Sequence, residues 1–188
     1  DALNNISIGE QAGDAHTTGA SNVAIGFKAL TANTTTSNSV AVGYKSLEDN
    51  TGANNTAVGS QTLKENTTGT SNVAVGRDAL EANTTGANNT ALGYYALTSN
   101  TTANHNTAVG NQSLEANTTG AQNVAVGKGA LESNTTANNN TAIGYLALQT
   151  NTTGAGNVAV GRDALLANTD ADYNVAVGYN ALTANTTG

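Results

Sequence analysis

The chain is a tandem repeat, and this constrains its fold more than the local preferences of its residues do. One copy reads Asn-Val-Ala-Val-Gly-Arg-Asp-Ala-Leu-Glu-Ala-Asn-Thr-Thr-Gly-Ala-Asn over residues 72–88, and the 188 residues contain eleven variants of it. The copies align on a β-branched residue that opens each one: Ile6, Val23, Val40, Thr56, Val73, Thr90, Thr107, Val124, Thr141, Val158 and Val175. These residues are 17 apart, except that Val40 and Thr56 are 16 apart. The residue missing there falls in the stretch 50–52, which indicates a loop, because loops tolerate deletions.

A second apolar column follows two places after the first, with Ala between the two in ten copies and Ser7 in the first copy. Apolar, β-branched residues at a spacing of two predict a short strand. The sequence therefore predicts an all-β fold, a parallel β-solenoid of eleven 17-residue repeats. If each coil rises by one strand spacing, about 4.8 Å, the stack is about 50 Å long.

Three further positions recur in the repeat. Gly follows the strand in every copy, for example Gly76, and implies either a positive φ or a close approach of backbone. A later Leu, for example Leu80, predicts a second strand or an irregular corner, with a single helical turn as the alternative. An Asn near the end, for example Asn83, predicts a ladder of amide hydrogen bonds between coils.

The domain organisation follows from the array. Residues 1–188 form a single repeat domain, and the first copy, residues 1–21, is atypical because Gly13 replaces the Leu and His16 the Asn. We interpret that copy as a cap or a junction. Both ends lie within the array, which indicates a fragment of a longer fibre.

Composition excludes several classes of function. The net charge is −7, and the six basic residues form no basic run, so nucleic-acid binding is disfavoured. No apolar run is long enough to insert into a membrane. The chain has no Cys, no phosphate-binding loop and no repeated His beside Ser or Asp, so we expect neither an enzyme nor a cofactor.

The apolar side chains also predict oligomerisation. This interpretation buries three Val- or Leu-sized side chains per coil, together with a closely approached Ala. Such burial offsets only part of the entropy lost on ordering a coil. Contact with further copies of the chain would supply more, and Thr at the opening position of four copies fits a site of uneven depth.

Asn-Val-Ala-Val-Gly and Asn-Thr-Ala-Ile-Gly resemble the head repeats of YadA-like trimeric autotransporter adhesins. The longer copy here, with Ala-Leu and Asn-Thr-Thr-Gly, resembles repeats of bacteriophage long tail fibres near their receptor-binding tips. The resemblance implies a left-handed, β-roll-like solenoid in an intertwined homotrimer, with the Val and Ile columns facing inward. It also implies a structural or adhesive fibre on a virion tail or a bacterial surface, which binds a cell-surface glycan or protein receptor. The 17-residue copies are longer than the adhesin repeats, and the additional residues fall in the Asn-Thr-Thr-Gly loop.

The residue after the repeated Gly is the candidate receptor-binding position, because a side chain that follows a bend is expected to point outward. Aromatic rings there can stack on sugars, and the alternative is that they cover the adjoining coil or a neighbouring chain. The candidate residues are Phe27, Tyr44, Tyr94, Tyr145 and Tyr179, with Tyr95 beside them.

Other patterns give weaker hypotheses. The Thr-Thr pairs, such as 84–85, suggest an ice-binding array as an alternative function, although adjacent Thr residues at a turn are expected to face different ways. An axial His16 or His105 in a trimer could collect a metal ion. Asp163, or Asp170 with Asp172, could serve as carboxylates of a polysaccharide-cleaving solenoid. The Glu column that contains Glu81 and Lys64 is expected to be a solvated face.

Overall fold

The computed structural model describes residues 4–186 and shows a parallel β-solenoid, as the repeat predicts. One sheet contains all the strands of the described part of the chain, in sequence order, and every neighbouring pair is parallel. The register pairs Val73 with Thr90 and Thr90 with Thr107, so equivalent residues of successive copies lie over one another. The strands are β1 (Ile6–Ile8), β2 (Val23–Ile25), β3 (Val40–Val42), β4 (Thr56–Val58), β5 (Val73–Val75), β6 (Thr90–Leu92), β7 (Thr107–Val109), β8 (Val124–Val126), β9 (Thr141–Ile143), β10 (Val158–Val160) and β11 (Val175–Val177).

The core of the rod is built from Ala, Leu and Asn rather than from the β-branched columns. In β5 the central Ala74 is fully buried, whereas Val73 and Val75 on either side are each 39% exposed. The prediction that three Val- or Leu-sized side chains per coil are buried is therefore wrong for the single chain. Only the Leu of that size is fully enclosed, as Leu80 shows. The interior of a 17-residue coil is narrow, so the strand turns its small residue inward and its two large ones outward.

The corner that carries the Leu is irregular. Neither a second strand nor a helical turn forms there within residues 4–186, so of the predicted alternatives only the corner is confirmed. From Leu30 to Leu182 the residues of this column have φ between 50° and 55°, in the left-handed region that residues other than Gly rarely adopt. Each conformation is held by the next coil: the amide of Leu80, for example, donates to the carbonyl of Ala96 at 3.0 Å.

The repeated Gly meets both requirements that its recurrence implies. Its φ lies between 123° and 143° in all eleven copies. A Cβ added to Gly93 would lie 2.4 Å from the carbonyl oxygen of Gly110 in the next coil. From Gly9 to Gly161 the next coil therefore leaves no space for a side chain at this column.

The predicted amide ladder is present, and its members from Asn50 to Asn168 are fully buried. From Asn66 to Asn185, the side-chain Nδ2 of each Asn donates to Oδ1 of the preceding one, for example from Asn100 to Asn83 at 2.8 Å. Each of these amides from Asn66 to Asn168 also donates to a backbone carbonyl of its own turn, as Asn83 does to Gly86 at 3.0 Å. The ladder thus pairs polar groups in an interior that water does not reach.

A second Asn ladder, which the sequence analysis did not identify, runs beside the strands. The Asn before each opening residue accepts a hydrogen bond through Oδ1 from the backbone amide of the equivalent residue in the next coil. Asn72, for example, accepts from the amide of Asn89 at 2.9 Å. Its Nδ2 donates to the carbonyl of Gly86 at 2.8 Å. The recurrence of Asn at this position in ten of the eleven copies was the available signal.

The 16-residue coil joins the two ladders. Oδ1 of Asn50 accepts from Nδ2 of Asn55 at 3.0 Å and from Nδ2 of Asn66 at 2.5 Å. The deletion falls in a segment without strand structure, between β3 and β4, as the spacing predicts. No helix among residues 4–186 is long and apolar enough to cross a membrane.

Candidate functional site

The residues that follow the repeated Gly form one outward column, which we call the post-glycine column. Its aromatic members are exposed as predicted, from 36% for Phe27 to 68% for Tyr179. Its members are Glu10, Phe27, Tyr44, Ser60, Arg77, Tyr94, Asn111, Lys128, Tyr145, Arg162 and Tyr179.

Rings and cations in this column stack along the rod. The rings of Phe27 and Tyr44 lie 5.6 Å apart at 13°. The guanidinium of Arg162 lies over two rings, at 5.3 Å from that of Tyr145 and 5.7 Å from that of Tyr179. Arg77 lies over Tyr94 in the same way, at 5.9 Å. The faces of these rings are therefore in part covered by the adjoining coil, which is the alternative that the sequence left open.

Tyr95 lies outside this column but touches it. Its ring centre is 4.1 Å from that of Tyr94, with the planes tilted by 58°. The hydrogen bond with Tyr94 is the main cause that raises the pKa of the Tyr95 hydroxyl. The two rings form a pair across adjacent columns, so the structure brings all six predicted aromatic residues to one side of the corner.

Five of the six basic residues lie in or beside this column, spread along the rod. Arg77, Lys128 and Arg162 belong to the post-glycine column, and Lys28 and Lys45 are the residues that follow it in the second and third copies. Lys64, in the Glu column, is the sixth and last basic residue of the chain. In a chain with a net charge of −7, this column is thus the one strip where positive charge is concentrated.

Acidic neighbours balance part of that charge. Nε of Arg162 lies 3.0 Å from Oδ2 of Asp163, and Arg77 pairs with the buried Asp78 at the same distance. Oε1 of Glu48 lies 3.6 Å from Nζ of Lys28, and its Oε2 lies 3.3 Å from Nζ of Lys45. Within residues 4–186, Lys128 has no carboxylate within ion-pair distance.

The Glu column that the repeat spacing predicts is present in the structure. Burial first, and then the negative charge of Asp78, raises the pKa of Glu81. Further along, Glu115 and Glu132 border a shallow, open groove of about 370 Å³ together with Ser99, Gln112 and Ser133. Gln149 donates to Glu132 at 2.7 Å, so one of the two carboxylates is already engaged by the rod itself.

The two His residues of the metal hypothesis lie in different coils, and Asp163 and Asp172 of the catalytic hypothesis make separate contacts. His16 is partly buried in the first coil and His105 is exposed on a loop. Asp163 pairs with Arg162, whereas Asp172 accepts from the amide of Ala155 at 2.6 Å. In the part of the chain that the structure describes, no three His, Asp or Glu residues are placed to hold a metal ion.

The Thr-Thr pairs lie in turns, and their two members are not equivalent. The first hydroxyl donates to the carbonyl of the first Thr in the next coil, for example from Thr84 to Thr101 at 3.0 Å. The second residue, such as Thr85, is exposed. The first hydroxyl is thus engaged by the next coil, and the two members of a pair face different ways, as the sequence predicts.

The outer face of the sheet is more exposed in the single chain than the repeat pattern predicts. On that face each strand presents two large residues, which are Val, Ile, Leu or Thr from β2 to β11. Leu92 is 38% exposed and Ile143 is 41% exposed, midway along the rod where both neighbouring strands are present. This largely apolar face, in which Thr opens four of the strands, runs the length of the sheet.

Comparisons with known proteins identify no relative of this chain. No family model matches the chain, and neither the curated proteins nor the solved structures include a significant match.

Proposed function

We propose that this chain is a stiff segment of an extracellular adhesive fibre, in which three copies pack through their apolar sheet faces. The observation that carries the proposal is the exposed face formed by the outward residues of β2 to β11. Contiguous apolar surface of this extent marks an interaction site in most soluble proteins. Covering it contributes roughly 25 cal/mol for each Å² removed from water.

A threefold arrangement suits this face. Neighbouring strands pair in the same register along the sheet, so copies lying side by side present matching rows of Val, Ile, Leu and Thr to one another. The resemblance to intertwined, left-handed β-roll heads supports three copies rather than two. In such a trimer the β-branched columns face the common axis, and the post-glycine columns lie beside the three contacts.

The adhesive role rests on the post-glycine column. Its exposed rings and cations vary from copy to copy, whereas the Gly after the strand is invariant and the Leu and Asn positions that build the rod are replaced in only one copy each. A scaffold that repeats with one variable column can present a receptor-binding pattern, and three copies multiply weak contacts. We favour the receptor-binding region of a phage tail fibre, and a bacterial trimeric adhesin head is the second candidate on the same resemblance.

The assembly is tested by mass in solution. We expect light scattering to give three times the 18.6 kDa of one chain. The double variant Val75→Lys/Leu92→Lys places two charges on the apolar face and should yield a folded monomer. The matched control Thr85→Lys/Thr119→Lys charges the exposed loop column and should remain trimeric. A wild-type protein that is monomeric and fully folded would overturn the trimer.

Adhesion is tested by binding of the fluorescently labelled protein to whole bacterial cells. We expect saturable binding to the cells of a susceptible host. Replacing Tyr94 and Tyr145 by Ser should weaken it, and the loop variant Thr85→Lys/Thr119→Lys should not. Binding that is absent from every strain of a broad panel would leave the fibre as a shaft without receptor contacts.

A further inference from the structure

The end of the post-glycine column differs from the rest of it in charge. Over the last four copies it reads Lys128, Tyr145, Arg162 and Tyr179, so cations and rings alternate. All four side chains are exposed. Asp163 is the one acidic residue paired with this group within residues 4–186. The quartet is therefore a positive strip on a negatively charged rod.

The geometry of Arg162 leaves part of its guanidinium available. Its ion pair and hydrogen bond to Asp163 both use Nε, at 3.0 Å. Within the described residues, its two terminal nitrogens donate no hydrogen bond. The flanking rings of Tyr145 and Tyr179 hold the group between them, at 5.3 and 5.7 Å from the ring centres. A guanidinium fixed in this way presents its two terminal nitrogens to a carboxylate, the bidentate geometry that Arg favours.

The stacking also determines what the rings can offer. Because Arg162 lies over one face of each ring, the Tyr145 and Tyr179 side chains offer a ligand their edges, their hydroxyls and their opposite faces. Tyr hydroxyls both donate and accept hydrogen bonds, which suits the hydroxyls of a sugar. Lys128 lies two coils before Arg162, at a distance of roughly 10 Å, or twice the strand spacing. The positive charges thus repeat at about the length of a disaccharide.

We propose that the column over Lys128, Tyr145, Arg162 and Tyr179 binds an acidic polysaccharide that carries one carboxylate on every second sugar. The chain of sugars lies along the rod axis, with successive carboxylates at Lys128 and Arg162 and the intervening sugar at Tyr145. This inference names the ligand class for the adhesive surface and so rests on the proposed function.

Charge density favours a polysaccharide over a nucleic acid. Double-stranded DNA carries one negative charge for about every 1.7 Å of its axis, and proteins that follow it use dense rows of cations. Here two cations stand about 10 Å apart on a chain whose net charge is −7. Such a chain repels a dense polyanion at long range, but it can accept a sparse one locally.

The experiment measures binding of the assembled protein to three immobilised polymers. Hyaluronan carries one carboxylate per disaccharide, dextran carries none, and single-stranded oligothymidine carries a phosphate at every residue. We expect saturable binding to hyaluronan that weakens as salt is added, and none to dextran. Oligothymidine that binds more tightly than hyaluronan, or dextran that binds equally well, would overturn the proposal.

Variants locate the site. Arg162→Gln and Lys128→Gln should each weaken hyaluronan binding at least tenfold, which corresponds to the loss of one charge-assisted contact. Lys64→Gln removes a cation from outside the strip and should change binding less than twofold. Equal losses in all three variants would overturn the assignment, since they would show a response to net charge alone.

Measuring both cell binding and hyaluronan binding distinguishes an error in the ligand class from an error in the adhesive role. In one outcome the labelled protein binds cells, hyaluronan does not displace it, and Arg162→Gln binds cells equally well. This outcome would contradict the ligand assignment but not the adhesive fibre. A protein that binds hyaluronan through Arg162 but binds no cells supports the ligand class and counts against adhesion to bacteria.

Discussion

At the scale of single residues, His16 is the deviation with the clearest consequence. It occupies the Asn position of the buried ladder in the first coil, and its Nε2 lies 3.4 Å from Nδ2 of Asn33. An amide that donates to Nε2 requires that nitrogen to be unprotonated. Burial lowers the pKa of His16 below the ordinary 6.5. Because the folded state holds the proton less tightly than the unfolded state, stability is full above pH 6.5 and falls as pH drops towards the lowered pKa.

We therefore expect the first coil to loosen on mild acidification. Titration by NMR should show His16 protonating below pH 6.5. The pH dependence of unfolding should flatten in His16→Asn, which extends the amide ladder, and should persist in His105→Asn. A His16 that titrates at or above 6.5 would contradict this account.

The buried amides give a second prediction at this scale. Asn100 donates to Oδ1 of Asn83 at 2.8 Å and accepts from Nδ2 of Asn117 at 3.1 Å. Asn100→Ala leaves both neighbours short of a partner in the interior. We expect the free energy of unfolding to fall by about 2 kcal/mol or more, measured by chemical denaturation. Asn111→Ala, in the outward column, should change it by less than about 0.5 kcal/mol.

At the scale of the elements, two Gly columns that look alike in the sequence differ in the structure. Gly93 ends β6 with φ at 143°, whereas Gly86 lies in the loop and has no positive φ. The loop column accepts Ala elsewhere in this chain, at Ala103 and Ala137, both nearly buried. In the column of Gly93 no copy carries a side chain.

Substitution by Ala should separate the two columns. Gly93→Ala combines an unfavourable φ with a Cβ that would lie 2.4 Å from the carbonyl oxygen of Gly110, so we expect a loss above about 3 kcal/mol. A Cβ at Gly86 would also lie 2.4 Å from a carbonyl oxygen, that of Ala103, but Gly86 has no positive φ and its column carries Ala in other copies, so Gly86→Ala should cost less. Similar denaturation midpoints for both variants would show that backbone conformation is not what selects Gly after the strand.

The sequence was sufficient to predict the elements whose signal is periodic. The 17-residue spacing predicted the register of Val73 over Thr90, the short strands and the ladder through Asn83, because each depends on the recurrence of a residue type. The corner at Leu80 was not predictable in detail. Its left-handed backbone runs against the preferences of Leu, and it is held by the hydrogen bond to the next coil and by burial of the Leu side chain.

The orientation of the strands shows a second limit. β-Branched residues usually face a core, so the sequence did not predict that Ala74 is the strand residue that fills the narrow interior. For the candidate site, the outward direction of Tyr94 and Tyr145 was predictable from the bend at Gly. Their stacking with Arg77 and Arg162 was not, since it depends on side chains from adjacent coils meeting at ring distance.

At the scale of the whole molecule, stability should depend on protein concentration. If three chains cover the face that includes Val75 and Leu92, association is linked to folding and the melting temperature rises with concentration. We expect this rise in calorimetric or circular dichroism melts of the wild type. It should vanish in Val75→Lys/Leu92→Lys and persist in Thr85→Lys/Thr119→Lys. A wild-type melting temperature that is independent of concentration over a hundredfold range would argue for a self-sufficient single rod.

The corner built from Gly, Leu and Asn offers the same upper and lower surface at nearly every coil, and this affects how such a molecule can evolve. Recombination between misaligned copies of the gene segment adds or removes whole repeats, and the newly adjoining coils still match. Reach can therefore change in steps of about 4.8 Å without redesign of the cross-section. A lineage could thus adjust how far its fibre extends separately from the side chains that it displays.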